Sequence, residues 1–460
     1  MEFANISEVE KGVVNSSEKK KHKIQKALNQ SITEGSAASF SSGLGDSYIT
    51  PFALALNANA FQIGLLSSLS SITSPLFQLF GGNLMSHKTR KKIILTFVLL
   101  QALTWIPLSL LSFFFLKDIL LAYLPYALIL LFITNVAMGA IAYPAWFSWM
   151  GDIVPEKDIG KYFSLRNRAT GIVGLCAVLI GAFVLDAFKT KGLALIGFSI
   201  LFILAFVFRF ISFLIFKKTY FPEFKQDKKA YFSFPEFLKA KTQFRTYTLY
   251  EAFFSFSIMI ASPFFAVYML QDLGFNYVTF ILVSMSGSVF YLLFSPLLGR
   301  FADRFGSKPL FYIATFAFAL NPIFWIFLKT PLSLILVPQV LSGFANASLV
   351  MANTTLTYSL VSPQKRAIAI PYKNILVGFG SFLGALIGGF LIQTLNISFL
   401  KPILFIFLLA AVLRFLVGIF FLPKLQNQKN SKKLPPIHVS LAHPFRTLQA
   451  DVGWIKYVFR

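Results

Sequence analysis

Charge is what this sequence has least of: only 13% of its 460 residues are Asp, Glu, Lys or Arg, about half the share usual in a soluble domain. A water-soluble fold of this size is excluded on that ground. Acid is scarcer still than base, with 18 Asp and Glu against 42 Lys and Arg, for a net charge of +24. In a soluble chain that balance would point to nucleic acid, but here the cations gather in tails and alternate loops, so no nucleic-acid partner is expected. The single cysteine, Cys176, excludes an internal disulfide. The four histidines (His22, His87, His438, His443) fall in tails or loops and form no Cys/His zinc pattern. Neither a Gly-x-Ser-x-Gly elbow nor a Gly-x-x-x-x-Gly-Lys-Ser/Thr loop occurs. The chain is therefore not read as an enzyme, ATP does not drive it directly, and no cofactor or metal is expected.

What is present is apolar. Hydrophobic residues make up 56% of the chain, 56 of them Phe, and the mean hydropathy is +0.69. A bilayer core takes about 20 apolar residues per helix. The sequence supplies such segments at 33–57, 60–85, 93–116, 122–147, 168–188, 193–216, 247–271, 276–299, 309–328, 332–358, 374–395 and 399–422. Lys and Arg concentrate in the loops at 87–92, 157–168, 300–308 and 365–373, whereas the opposite loops hold only Lys117, Lys189, Lys191, Lys329 and Lys401. Positive loops stay inside, which predicts an integral multi-pass protein of the cytoplasmic membrane with both termini cytoplasmic.

The expected organisation is a cytoplasmic tail at 1–30, a six-helix half at 31–216, a Lys-rich linker at 217–246, a second six-helix half at 247–422 and a basic tail at 423–460. The run Lys19-Lys20-Lys21-His22-Lys23 fits a solvated topogenic tail or a contact with anionic lipid. Residues 232–244 fit a plain linker helix or an interfacial amphipathic one. The halves repeat. Leu179-Ile180-Gly181-Ala182-Phe183 returns 207 positions later as Leu386-Ile387-Gly388-Gly389-Phe390, and Leu165-Arg166-Asn167 returns at the same spacing as Tyr372-Lys373-Asn374. Thr50-Pro51-Phe52 matches Ser262-Pro263-Phe264, and Phe208-Arg209-Phe210 matches Leu413-Arg414-Phe415.

The loop Gly299-Arg300-Phe301-Ala302-Asp303-Arg304-Phe305-Gly306-Ser307-Lys308 resembles the Gly-x-x-x-Asp-Arg-x-Gly-x-Lys/Arg signature of the major facilitator superfamily. Its partner keeps Gly82 and Lys91 and gains Arg90, but has Ser86 for the acid, His87 for the arginine and Thr89 for the glycine. The loop from Asp152 through Pro155-Glu156 is similar to that family's acid-x-x-Pro-Glu loop. The resemblance covers about residues 30–425. It implies an all-α polytopic major facilitator fold of about 12 transmembrane helices in two pseudo-symmetric six-helix halves, with substrate near the midplane. It also implies a cytoplasmic latch of Gly299, Asp303, Arg304, Gly306 and Lys308, with a weaker counterpart at Gly82 and Arg90.

Ionisable groups inside spans are costly and mark function by default. Asp46, in the glycine-interrupted stretch Ser41–Tyr48, is the sharpest candidate for substrate or proton handling, with Tyr48 beside it. Glu34 and Glu251 start corresponding helices and read either as gate or coupling carboxylates or as groups near the interface that are solvated or paired with loop cations. Asn135, Asn346 and Asn353, with the aromatic Tyr143, Trp146 and Tyr291, complete the candidate cavity. Arg209 and Arg414, within apolar runs, read as snorkelling cations. Serines of the second and eighth spans are expected to bond between helices. The glycines Gly380, Gly384 and Gly388 are expected at the seam between halves. The leading reading is secondary transport of a small organic solute, with protons as a further coupling partner, by a monomer in a lipid bilayer. Lipid or amphiphile translocation, or a receptor or scaffold without transport, are the alternatives.

Overall fold

The computed structural model describes residues 2–155, 159–222, 234–239, 242–361, 363–398 and 400–426. The Glu156 motif position, most of the linker and the tail beyond 426 lie outside them. Among the described residues every regular element is helical, and the chain divides into two compact units, Met1–Asp227 and Lys228–Arg460.

The first unit holds α1 (Glu2–Leu44), α2 (Ile49–Ala55), α3 (Ala60–Leu84), α4 (Arg90–Leu116), α5 (Leu124–Ile153), α6 (Ile159–Lys189) and α7 (Ala194–Lys218). The second holds α8 (Phe234–Lys239), α9 (Gln243–Met259), α10 (Phe264–Val267), α11 (Tyr277–Phe305), α12 (Ser307–Phe327), α13 (Pro331–Leu334), α14 (Val340–Leu360), α15 (Pro363–Thr394) and α16 (Pro402–Phe421). Eleven helices among the described residues are long and apolar enough to cross a membrane. The broken pair α1 and α2, packed on α6 and α7, supplies the remaining span.

Proline sets both principal breaks. Pro51 has no N–H for the carbonyl four residues earlier, and the chain passes through a tight 3₁₀ turn at Asp46–Tyr48 between α1 and α2. Low helix propensity around Ser41, Ser42, Gly43 and Gly45 contributes. Pro263 does the same after α9, where residues 260–263 form an irregular turn before α10. In each case the proline found in the repeat match is the one that breaks its span. Pro338 lies in a widened π turn, Ile335–Gln339, between α13 and α14.

Several expectations change. The first helix extends beyond the apolar run that starts at residue 33: α1 runs back to Glu2, no proline precedes Pro51 to stop it, and Ala27 and Leu28 are already buried in the core of the first unit. Among its described residues the linker region forms the short α8, whose Phe237 is buried against Phe244 and Tyr372. Through Phe237 it packs on the second unit's core. The glycine stripe of α15 packs inside the second unit, because an added Cβ at Gly380, Gly384 or Gly388 would lie 2.1, 2.3 or 2.2 Å from the carbonyl oxygens of Ala252, Phe256 and Ile260. The seam is α15 on α9, not half on half. Ser68, Ser70, Ser71 and Ser286 donate to carbonyls three or four residues back in their own helices, a local satisfaction open to any helical serine.

Candidate functional site

The first unit gathers its charges in one place. Glu34 on α1 is 3% exposed, so it is not solvated; it is paired with cations, among them Arg166 from the basic loop region. Its Oε1 accepts from Ser212 Oγ at 2.8 Å and lies 3.8 Å from Arg209 Nη1. Its Oε2 lies 3.8 Å from Arg166 Nη2 and has no hydrogen-bond partner. Arg209 on α7 does not snorkel. Its Nε and Nη2 both donate to Gln101 Oε1 on α4, at 2.9 and 2.6 Å, a two-pronged grip that fixes the guanidinium plane. Gln101 is itself placed by Asn135, whose Nδ2 donates to the Gln101 carbonyl at 3.2 Å and to Thr104 Oγ1 at 2.7 Å. Gly139 leaves room for the Gln101 amide, which an added Cβ would approach to 2.7 Å.

These groups border a cavity of about 230 Å³ whose wall includes Glu34, Arg166, Arg209, Tyr143, Trp146, Ile94, Val98, Ala142 and Phe216. The Arg166 guanidinium sits 4.7 Å from the Trp146 ring centre, within cation–π range. Its Nε donates to Ser31 Oγ at 3.3 Å.

The second unit repeats the pairing in altered form. Glu251 on α9 is 7% exposed and lies 2.8 Å from Lys373 Nζ on α15; Lys373 also donates to Tyr247 Oη at 3.2 Å. Arg166 and Lys373 occupy matching repeat positions, so each half pairs a first-helix carboxylate with a fifth-helix cation. The sixth-helix arginines diverge. Arg414 is 2% exposed and donates to the carbonyls of Ser257, Ile258 and Phe318 at 3.3, 3.1 and 2.8 Å. It therefore ties the end of α9 to α12 through backbone carbonyls, that of Ile258 also accepting from the Ala261 and Ser262 N–H groups.

A second cavity, of about 310 Å³, lies between α11 and α14 and carries no charge: Ser284, Gly287, Ser288, Tyr291, Gln339, Ser342 and Asn346 line it. The π turn ends on Gln339, whose Oε1 would lie 2.5 Å from a Cβ at Gly287.

Of the residues singled out from sequence for the cavity, Glu34, Tyr143 and Trp146 line the charged one, and Tyr291 and Asn346 the neutral one. Asp46 is exposed at the break of the first span, hydrogen-bonded to Ser42 and close enough to Arg209 to act on it electrostatically. Tyr48 is fully buried and donates to the Val178 carbonyl, its ring filling the space over Gly181; it is a packing residue. Asn135 is 1% exposed and faces Gln101, so it positions a site residue. Asn353 is half-buried with an unpaired Oδ1. Arg166, Gln101, Arg209, Lys373 and Gln339 were not among the candidates. The repeat match of Arg166 with Lys373 was the signal that could have found the first pair.

In the loop after α11, Gly306 has φ +81°, a left-handed value that favours glycine, and ends the helix with its N–H on the Ala302 carbonyl at 2.9 Å. Asp303 is exposed, Arg304 lies 5.3 Å from the Phe305 ring centre and Lys308 reaches the Pro423 carbonyl at 3.4 Å. Gly299 lies beside Met351. The loop after α3 has Ser86 where the signature has an acid. Arg90, 4% exposed, lies 2.7 Å from Asp152 Oδ2 and donates to Ser148 Oγ and the Pro222 carbonyl at 3.1 and 3.0 Å, while Gly82 borders open space. An acid from α5 takes the place of the missing one.

The chain is 28% identical over 130 residues to an uncharacterized transporter of Schizosaccharomyces pombe, a stretch covering 28% of this chain and 22% of the relative. It is 29% identical over 96 residues, 21% of this chain and 20% of the relative, to vacuolar basic amino acid transporter 2 of Saccharomyces cerevisiae. The chain thus spans about a fifth of the length of these curated relatives. A crystal structure of a variant of the nucleoside transporter NupG superposes with a TM-score of 0.68 at 16% identity, over 87% of this chain and 100% of the other, which shows a shared fold. The family model of the Major Facilitator Superfamily matches residues 35–250 and again 247–458. Two six-helix units, matching breaks at Pro51 and Pro263, and two family matches that follow one another along the sequence make this chain a member of the major facilitator superfamily.

Proposed function

We propose that this chain is a secondary transporter that moves a small organic solute across a membrane by alternating access, with protons as the coupling ion and Asp46 as the group that carries them. The observation that supports this most is the position of Arg209. It is gripped by Gln101 and lies within electrostatic reach of two carboxylates, Glu34 and Asp46. Glu34 is buried and also faces Arg166, whereas Asp46 is exposed at the broken turn of the first span. Protonation of Asp46 removes one of the two claims on Arg209 and strengthens its pairing with Glu34. A proton is thereby linked to the geometry beside the cavity. Buried ionisable groups at a broken helix suit solute and ion handling in this kind of protein. The Lys/Arg loop asymmetry supports cytoplasmic termini in a plasma membrane, and each half carries its own cavity, which supports a monomeric working unit.

The test is uptake into vesicles containing the purified protein, with and without an imposed pH gradient. Asp46→Asn is expected to lose gradient-driven accumulation while keeping exchange of labelled for unlabelled solute. Gradient stimulation equal to wild type would remove Asp46 from coupling.

A further inference from the structure

The charged cavity of the first unit offers two unequal, unfulfilled valences. Glu34 lines the cavity, and its Oε2 is buried and accepts no hydrogen bond. A carboxylate oxygen left so is costly and calls for a donor from whatever fills the space. Beside it, Arg166 commits Nε to Ser31 and lays its plane on Trp146, and its Nη2 stops 3.8 Å from the same Oε2. That separation is too long for a hydrogen bond. Arg209, by contrast, is occupied by Gln101 and Ser212. The cavity therefore presents one acceptor wanting a cationic donor and one guanidinium edge wanting an anion, side by side. The rest of its wall is apolar or aromatic: Ile94, Val98, Tyr143 and Phe216 among others.

We infer that this cavity is the subsite for a small zwitterion, an α-amino acid with an apolar side chain, whose ammonium meets Glu34 and whose carboxylate meets Arg166. The inference rests on the transport reading above and narrows its substrate. The volume of about 230 Å³ is below the range usual for drug-sized ligands and suits a compact solute. A second cation on the solute would find no second carboxylate on this wall, so leucine is favoured over lysine.

The test uses the full-length protein in detergent, read by ligand-induced thermal stabilisation. The ligands are leucine, leucinamide, 4-methylpentanoate and lysine. Leucinamide lacks the anion and 4-methylpentanoate lacks the cation, so each is expected to bind at least about tenfold more weakly than leucine, the loss of one charge-assisted contact. Glu34→Gln should weaken leucine but leave 4-methylpentanoate unchanged, and Arg166→Gln should weaken leucine but leave leucinamide unchanged. The wild-type series needs no variant to fold. Equal binding of leucine and 4-methylpentanoate, preference for lysine, or no stabilisation by leucine at all would overturn the subsite. Uptake of another solute class into vesicles with leucine silent would sink the subsite and keep transport, whereas leucine binding without uptake would sink transport and keep the subsite.

Discussion

Replacing Gly384 by alanine should destabilise this protein, although alanine is the better helix former. The propensity gain is about 1 kcal/mol. Against it stands a Cβ placed 2.3 Å from the Phe256 carbonyl oxygen and 3.0 Å from its carbon. Even weak carbon–oxygen contacts sit at about 3.3–3.6 Å, so α15 must back away from α9 by about 1 Å. Backbone cannot rotate aside as a side chain would. A gap of that size forfeits roughly a quarter to a half of each affected dispersion contact, and Gly380 and Gly388 belong to the same seam. Overpacking of this kind costs about 1–3 kcal/mol, leaving a net loss of up to about 2 kcal/mol after the propensity gain. Gly171 on α6, with no atom near its Cβ position, is the matched control: Gly171→Ala should be neutral or gain up to about 1 kcal/mol. The assay is thermal unfolding in detergent followed by tryptophan fluorescence. A Gly384→Ala melt at or above wild type, with the control behaving as stated, would refute the argument that close backbone approach fixes these glycines.

Three further outcomes are expected. Arg414→Met should cost about 2 kcal/mol or more in the same melts, since the buried guanidinium's bonds to the Ser257 and Phe318 carbonyls are lost, while Ile258 keeps its backbone donors; a change below about 1 kcal/mol would show that water replaces the guanidinium. Asp303→Asn should slow solute turnover in vesicles with little change in apparent affinity, and unchanged turnover would remove Asp303 from the latch. Lys401 is held above the ordinary lysine value by its hydrogen bond to Asp272. The pair's contribution is therefore full below the ordinary lysine value and fades as pH rises through the elevated one. Lys401→Met should thus lower stability by less than about 1 kcal/mol at neutral pH, a difference that closes in melts at strongly alkaline pH; a gap that widens there would contradict the assigned direction.

Sequence alone determined the class and the repeat. Scarce charge, apolar runs of bilayer length and a Lys/Arg bias between loops are bulk properties that survive without coordinates. Pro51 and Pro263 stood out in sequence as a repeat match, and the structure showed that a span breaks beside each. Gly306 told of its own turn. Pairings between helices were not legible. Arg209 and Arg414 look alike in sequence, each an arginine among bulky apolar neighbours, yet one is gripped by Gln101 near Glu34 and the other ties the end of α9 to α12. Their fates depend on what α4 and α12 place opposite them, which no local pattern encodes. The glycine stripe was read correctly as a close-approach face but assigned to the wrong neighbour, because periodicity gives the face of a helix and not its partner. Asp46 stood out because a carboxylate in an apolar run is rare. Glu34 and Arg166 gained weight only when folding buried one carboxylate oxygen without a partner and set a guanidinium edge beside it.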